Sequence, residues 1–154
     1  MYIEKINSPA DVKALSVEQM EVLATEVRQA LLHKLSEHGG HIGPNLGMVE
    51  ATIALHYVFN SPHDKIVYDV SHQSYTHKIL TGRKEAFLNA ADYDKVSGYT
   101  NPQESEHDFF TIGHTSTSVS LACGLVKARD LKGGDENIIA VIGDGSIFGT
   151  VAFA

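Results

Sequence analysis

Ile138-Ile139-Ala140-Val141-Ile142-Gly143-Asp144-Gly145-Ser146 is the stretch that decides the fold. Its first five residues are continuously apolar and mostly β-branched, with no polar alternation, so they read as a strand buried on both faces. The run then breaks at Gly143, where glycines on both sides of Asp144 allow tight backbone geometry and close approach of a ligand. Ligands of open parallel sheets bind outside the carboxyl ends of the strands. A carboxylate placed there offers a hard oxygen, suited to a Mg²⁺ that bridges to phosphate oxygens. A helix beginning just after Ser146 would add amide donors and a positive dipole end. Taken alone, Asp144-Gly145 is more often a plain turn.

Working outward, the segment from about Ser116 to Leu131 reads as a helix closed by Gly133-Gly134. Two further β-rich runs, Ile66–Val70 and Phe109–Ile112, precede it, with a helix near Ser74–Leu80 between them. Buried apolar strands separated by helices predict an α/β fold, a parallel sheet flanked by helices. Three polar or glycine-rich segments then fall at strand ends: Asp69-Val70-Ser71-His72, Gly113-His114-Thr115-Ser116 and Gly143-Asp144-Gly145-Ser146. They are expected to converge on one crevice. Gly113–Ser118 opens its helix with a surplus of hydroxyls. One cap needs one hydroxyl, so the surplus and His114 weigh evenly between capping and a polar ligand. Residues 91–107 are polar and rich in turn formers, and read as a long loop of the kind that is often functional.

Toward the N-terminus, Ser16 and Gln19 have capping-box spacing. Val17, Met20, Leu23, Ala24, Val27, Leu31 and Leu35 form one apolar stripe that ends at Gly39-Gly40. A second helix is expected from about Gly47 to Val58, with Val49, Ile53, Ala54 and Tyr57 turned inward, and Asn60-Ser61-Pro62 breaks it.

The 154 residues suggest one domain, and 43% hydrophobic with 20% charged residues suggest an ordinary globular chain. A formal net charge of −7 and no basic stripe argue against a nucleic-acid partner. No run is apolar enough for a membrane span, and Met1–Lys13 lacks the apolar core of a signal peptide, so a cytoplasmic location is expected. Cys123 is the lone cysteine and is expected to be buried packing inside its helix. Of nine histidines, His33, His38, His56 and His63 are expected at the surface or at helix ends. His41, His72, His77 and His114 lie near glycines or strand ends, without the spacing of a zinc site.

Several of these segments, in this order, resemble the 1-deoxy-D-xylulose-5-phosphate synthase family. Gly39-Gly40-His41-Ile42-Gly43-Pro44-Asn45-Leu46-Gly47-Met48-Val49-Glu50 is similar to a segment early in that family. Asp69–Arg83 is closer still, and its His77-Lys78-Ile79-Leu80-Thr81-Gly82-Arg83 run separates the family from ordinary transketolases. Ser97-Gly98-Tyr99, Glu104–Asp108 and Gly113–Ser118 extend the likeness, and Gly143-Asp144-Gly145 resembles the start of the thiamine-diphosphate signature. The resemblance implies a partial diphosphate-binding domain over residues 1–154, with thiamine diphosphate and Mg²⁺ as cofactors. The implied reaction joins pyruvate to glyceraldehyde 3-phosphate with loss of CO₂, at the head of a route to isoprenoids.

By the same resemblance, His72, Gly113, His114 and Thr115 face the cofactor, Asp144 holds Mg²⁺, and Gly145 and Ser146 give close backbone contact. His41 sits over the reacting carbon and helps move protons or steadies the acceptor aldehyde, a role that a near-neutral imidazole suits. Ser71 stands where the family usually has glycine and Thr76 where it has proline, both tolerated if φ there is negative. Ile147–Ala154 is more apolar than the family's segment. The family's further Mg²⁺ ligand, an asparagine, and the glutamate that activates the cofactor lie on later segments, absent here. The chain alone is therefore expected to be inactive, and to pair as a homodimer or with a second polypeptide. A subunit of a split transketolase-like enzyme, and a non-catalytic remnant or interaction module, are the competing readings.

Overall fold

The computed structural model describes residues 1–149. It is α/β, with a small parallel sheet and flanking helices, and it divides into two compact units. Met1–Asn60 with Gln73–Gly98 form the first, and Ser61–His72 with the described residues from Tyr99 onward the second. Among the described residues no helix is long and apolar enough to cross a membrane.

The first unit is helical. A short helix α1 (Pro9–Lys13) precedes α2 (Val17–His38), α3 (Ile42–Leu46) and α4 (Val49–Val58). Ser16 caps α2 as its spacing predicts: the Gln19 amide donates to Ser16 Oγ, and the Ser16 amide donates to Gln19 Oε1. Gly39, at φ +82°, ends the helix, also as predicted. Leu23, Val27 and Leu31 of the stripe are fully buried, whereas Val17 in the first turn is exposed. Lys34 is buried on the same face. Its ammonium donates to the carbonyls of Ala86 and Tyr93 at 2.7 and 3.1 Å and lies 4.2 Å from the Phe87 ring centre, so its charge is both hydrogen-bonded and stacked.

Helix α4 is rotated from the expected face. Val49 and Ile53 point inward as predicted, but Thr52 and His56 join them, while Ala54 and Tyr57 are exposed. The reason is His56. It lies in the last turn of α4, one of the two expected places, but is buried, because its Nε2 meets His77 Nδ1 at 2.9 Å with the two rings stacked. That bond satisfies polar atoms that burial would otherwise penalise.

The helix expected near Ser74–Leu80 is found as α5 (Tyr75–Lys78) running into a π-turn over Ile79–Arg83, whose backbone leaves the helical region only at Thr81 and Gly82, and α6 (Glu85–Leu88) follows. Thr81 Oγ1 donates to the His77 carbonyl at 2.7 Å, and Gly82 turns the chain at φ +89°. Ile79, Leu80 and Phe87 from this region complete the core with Ile3, Leu23, Leu31 and Val49. The expected loop over 91–107 starts inside a 3₁₀ segment, Ala90–Lys95.

The second unit is a β-α-β arrangement of β1 (Lys65–Tyr68), α7 (Ser118–Lys132) and β2 (Ile138–Val141). The strands pair in parallel, Lys65 opposite Ile138 through Tyr68 opposite Val141. Phe109–Ile112 is not the third strand that its composition predicts. Its carbonyls go to side chains instead of a ladder: Thr100 Oγ1 donates to Phe110 O at 2.8 Å and Ser71 Oγ to Ile112 O at 2.9 Å. Cys123 is exposed on α7, not buried, because that helix buries only Ser118 and Ala122.

β1 stops two residues earlier than its apolar run suggests. Val70 and Ser71 take φ of +57° and +70°. The condition under which serine would be tolerated here, a negative φ, is therefore not met, and Ser71 occupies a conformation that glycine enters freely. A β-branched residue at positive φ is an outlier, and such strain is held only where the surroundings over-determine it.

Candidate active site

Parallel pairing puts the carboxyl ends of β1 and β2 at one edge of the sheet. The residue that organises this edge is Asp69, which immediately follows β1 and is 1% exposed. Its Oδ2 accepts from the Ser116 amide at 2.9 Å, and its Oδ1 accepts from the amides of Thr117 and Ser118 at 2.9 and 3.0 Å. Thr115 Oγ1 lies 3.4 Å from Oδ2. Burial pushes this carboxyl up, but the amides of Ser116, Ser118 and Thr117 together outweigh it and hold the group below the ordinary carboxylate range. Asp69 thus caps α7 from another segment, so the amides of Thr117 and Ser118 at the start of that helix are occupied by protein.

The hydroxyl surplus at 115–120 is largely spent within the chain. Thr115 Oγ1 and Ser146 Oγ are bonded at 2.6 Å, Ser116 Oγ donates to Ser146 O at 2.6 Å, and Thr117 Oγ1 donates to His114 O at 3.1 Å. These bonds zip the turn after Ile112 to the turn after β2. Gly149 completes the fit, because a Cβ there would overlap the Ser116 hydroxyl. The turn after β2 is a 3₁₀ segment, Asp144–Phe148, which begins before Ser146; residues 150–154, where the expected helix would continue, lie outside the described residues.

Three glycines along this edge behave differently from Gly149. A Cβ built at Gly113, Gly143 or Gly145 meets nothing within 4 Å, and none of the three has positive φ. Neither backbone conformation nor the described packing requires glycine there, and open space lies beside each. The exposed Asp144 carboxylate stands among them, its Oδ1 accepting from the Gly145 amide at 2.9 Å. Among the described residues no three or more His, Cys, Asp or Glu are grouped to hold a metal. A cation here would take few protein oxygens and complete its shell with ligand oxygens and water, as Mg²⁺ commonly does. Room beside the backbone and a hard carboxylate fit a Mg²⁺-bound diphosphate.

Of the sequence-predicted site residues, Gly113, His114, Thr115, Asp144, Gly145, Ser146 and His72 all fall in the second unit. Direct bonding joins Thr115 to Ser146. His114 is exposed and His72 half-buried. His41 belongs to the first unit, at the start of α3, where Asn45 Nδ2 donates to its carbonyl at 2.7 Å. Asp69 was not expected to organise the edge. The available signal was an acidic residue at a strand end facing a helix start that offers hydroxyls alone.

The family model described as 1-deoxy-D-xylulose-5-phosphate synthase matches residues 3–154. A 1-deoxy-D-xylulose-5-phosphate synthase from Halalkalibacterium halodurans is 52% identical over 152 residues, covering 99% of this chain and 24% of the relative. One from Azobacteroides pseudotrichonymphae is 54% identical over 149 residues, covering 97% and 24%. One from Dictyoglomus thermophilum is 50% identical over 147 residues, covering 96% and 24%. The chain spans about a quarter of the length of the curated relatives it matches. With the strand-end site and the ordered motifs, these matches show that the chain belongs to the 1-deoxy-D-xylulose-5-phosphate synthase family.

Proposed function

We propose that this chain is the diphosphate-binding part of a thiamine-diphosphate-dependent synthase that condenses pyruvate with glyceraldehyde 3-phosphate and releases CO₂. The observation that carries the reading is the open ground beside Gly113, Gly143 and Gly145, at the edge that Asp69, Thr115 and Ser146 hold rigid. Asp144 would ligate Mg²⁺, and the Gly145 and Ser146 backbone would lie against the diphosphate. His72 and His114 would donate to its oxygens, and Thr115 would fix the turn between them. Bound thiamine diphosphate would supply carbanion stabilisation. His41 would help move a proton at the acceptor oxygen or steady the acceptor aldehyde.

The same reading makes the chain dependent on a second surface, in a homodimer or another polypeptide, within the cytoplasm. Strands of a parallel sheet are normally covered on both faces. β1 is buried at Ile66, Val67 and Tyr68, but every residue of β2 from Ile138 to Val141 is only half-buried.

Calorimetric titration with thiamine diphosphate tests the assignment. Binding should have a component that requires Mg²⁺, and Asp144→Ala should abolish that component. Mg²⁺-dependent binding that survives Asp144→Ala would refute the role given to Asp144.

A further inference from the structure

His41 is the one predicted site residue in the first unit, and the segment that carries it has little stiffness of its own. Gly39 and Gly40 precede it at φ +82° and +130°, conformations that glycine alone enters freely. The helix that follows it, α3, has five residues and is too short to hold its shape by its own hydrogen bonds. The placement of His41 therefore has to come from contacts made elsewhere in the chain.

One side chain supplies two of them. Asn45, fully buried, donates from Nδ2 to the His41 carbonyl at 2.7 Å and accepts at Oδ1 from the Tyr75 amide at 2.9 Å. The partners fix which end is which, since a backbone amide only donates and a carbonyl only accepts. Both bonds end on one planar carboxamide, so the backbones of His41 and Tyr75, 34 positions apart, are kept at a set separation. That separation brings the Tyr75 ring against the histidine: its Oη lies 3.4 Å from His41 Nδ1, and the ring centres are 6.4 Å apart. Tyr75 itself packs on Phe87 at 5.6 Å between centres. The far end of α3 is held separately. Arg28 donates from Nη1 to the Leu46 carbonyl at 2.8 Å and pairs with the Glu50 carboxylate, so α3 keeps an anchor when Asn45 is altered.

We infer that Asn45 is a positioning residue for His41. It acts on the histidine's backbone: the carbonyl that Nδ2 holds cannot swing away, and the imidazole stays against Tyr75. The effect on turnover rests on the role proposed above for His41; the anchoring of the ring does not. Misplacing a reacting group by about 1 Å costs on the order of 100-fold in rate. Loss of this anchor should therefore lower kcat by about 10- to 100-fold. Thiamine diphosphate affinity should be unchanged, since the residues proposed to hold the diphosphate belong to the second unit.

A double-mutant cycle in a full-length synthase carrying this sequence tests the inference, with His41→Gln and two changes at Asn45. Asn45→Ala removes both bonds. Asn45→Asp, assayed at about pH 8 where a carboxyl is ionised, keeps an acceptor for the Tyr75 amide and sets an oxygen against the His41 carbonyl. In the otherwise unaltered enzyme each should lower kcat by about 10- to 100-fold. In the His41→Gln enzyme neither should lower it further, because residues that act as a unit are not additive. An equal fall in both backgrounds, or an unchanged kcat in both Asn45 variants, would overturn the inference. Failure of the catalytic reading is distinct: His41→Gln would itself keep full turnover. Relaxation of the ¹³C-labelled His41 ring then decides the anchoring alone. The ring should be more mobile in Asn45→Asp than in the unaltered chain, with the buried His56 and His77 rings unchanged, and an equally ordered His41 ring would overturn the inference.

Discussion

At the scale of single residues, Asp69 and Ser71 carry the largest expected effects. Asp69→Asn removes acceptor capacity from buried amides of Ser116, Thr117 and Ser118. It should cost about 2–3 kcal/mol in denaturant unfolding at neutral pH. Because the folded carboxyl lies below its ordinary value of 3.8, its contribution is fully present above that value. It is lost as pH falls through the lower folded value. The stability gap between the unaltered chain and Asp69→Asn should therefore be constant from neutral pH to about 5 and close under stronger acid. A gap that widened toward acid would contradict the assignment.

Ser71 balances two opposed terms. Its positive φ costs about 1 kcal/mol relative to glycine, while its hydroxyl donates to Ile112 O and accepts from the Thr100 amide. Leaving a buried amide unmet costs about 1–3 kcal/mol, so the hydrogen bonds win. Both Ser71→Ala and Ser71→Gly should destabilise the chain, with glycine the milder by about 1 kcal/mol because it alone relieves the backbone. Equal losses would mean that the positive φ is not sustained.

At the scale of elements, the glycines separate into those that the fold needs and those that a ligand needs. Gly149→Ala should destabilise the chain, since a Cβ there collides with Ser116. Gly145→Ala should leave the unfolding midpoint nearly unchanged, within about 0.5 kcal/mol, and weaken thiamine diphosphate binding. Loss of stability in Gly145→Ala would show that the open ground is filled by the protein itself.

Much of this scale was legible in the sequence. Capping-box spacing placed the start of α2, and Gly39 and Gly133 placed the ends of α2 and α7, because capping is a local matter of one side chain or one φ. The paired strands were visible as apolar runs for the same reason. What failed was long-range. Phe109–Ile112 has strand composition, but Ser71 and Thr100 claim its carbonyls. α4 has Ala54 and Tyr57 where a core face was expected, but a partner histidine from α5 turned His56 inward. The site was legible as motif segments. The residue that braces the β1 edge, Asp69, meets amides 47 to 49 positions away, which no local pattern encodes.

At the scale of the whole molecule, the half-buried β2 predicts self-association. Light scattering after size exclusion should report a species larger than a monomer at micromolar concentration; a well-behaved monomer would contradict the need for a covering surface. The most direct test of the diphosphate site is a thermal-shift titration with thiamine diphosphate, with and without Mg²⁺. A ligand that binds only the native state raises the melting temperature as its concentration exceeds Kd. The account predicts a rise that grows with thiamine diphosphate and requires Mg²⁺. An unchanged melting temperature at saturating concentrations of both would contradict the claim that this chain forms the diphosphate site.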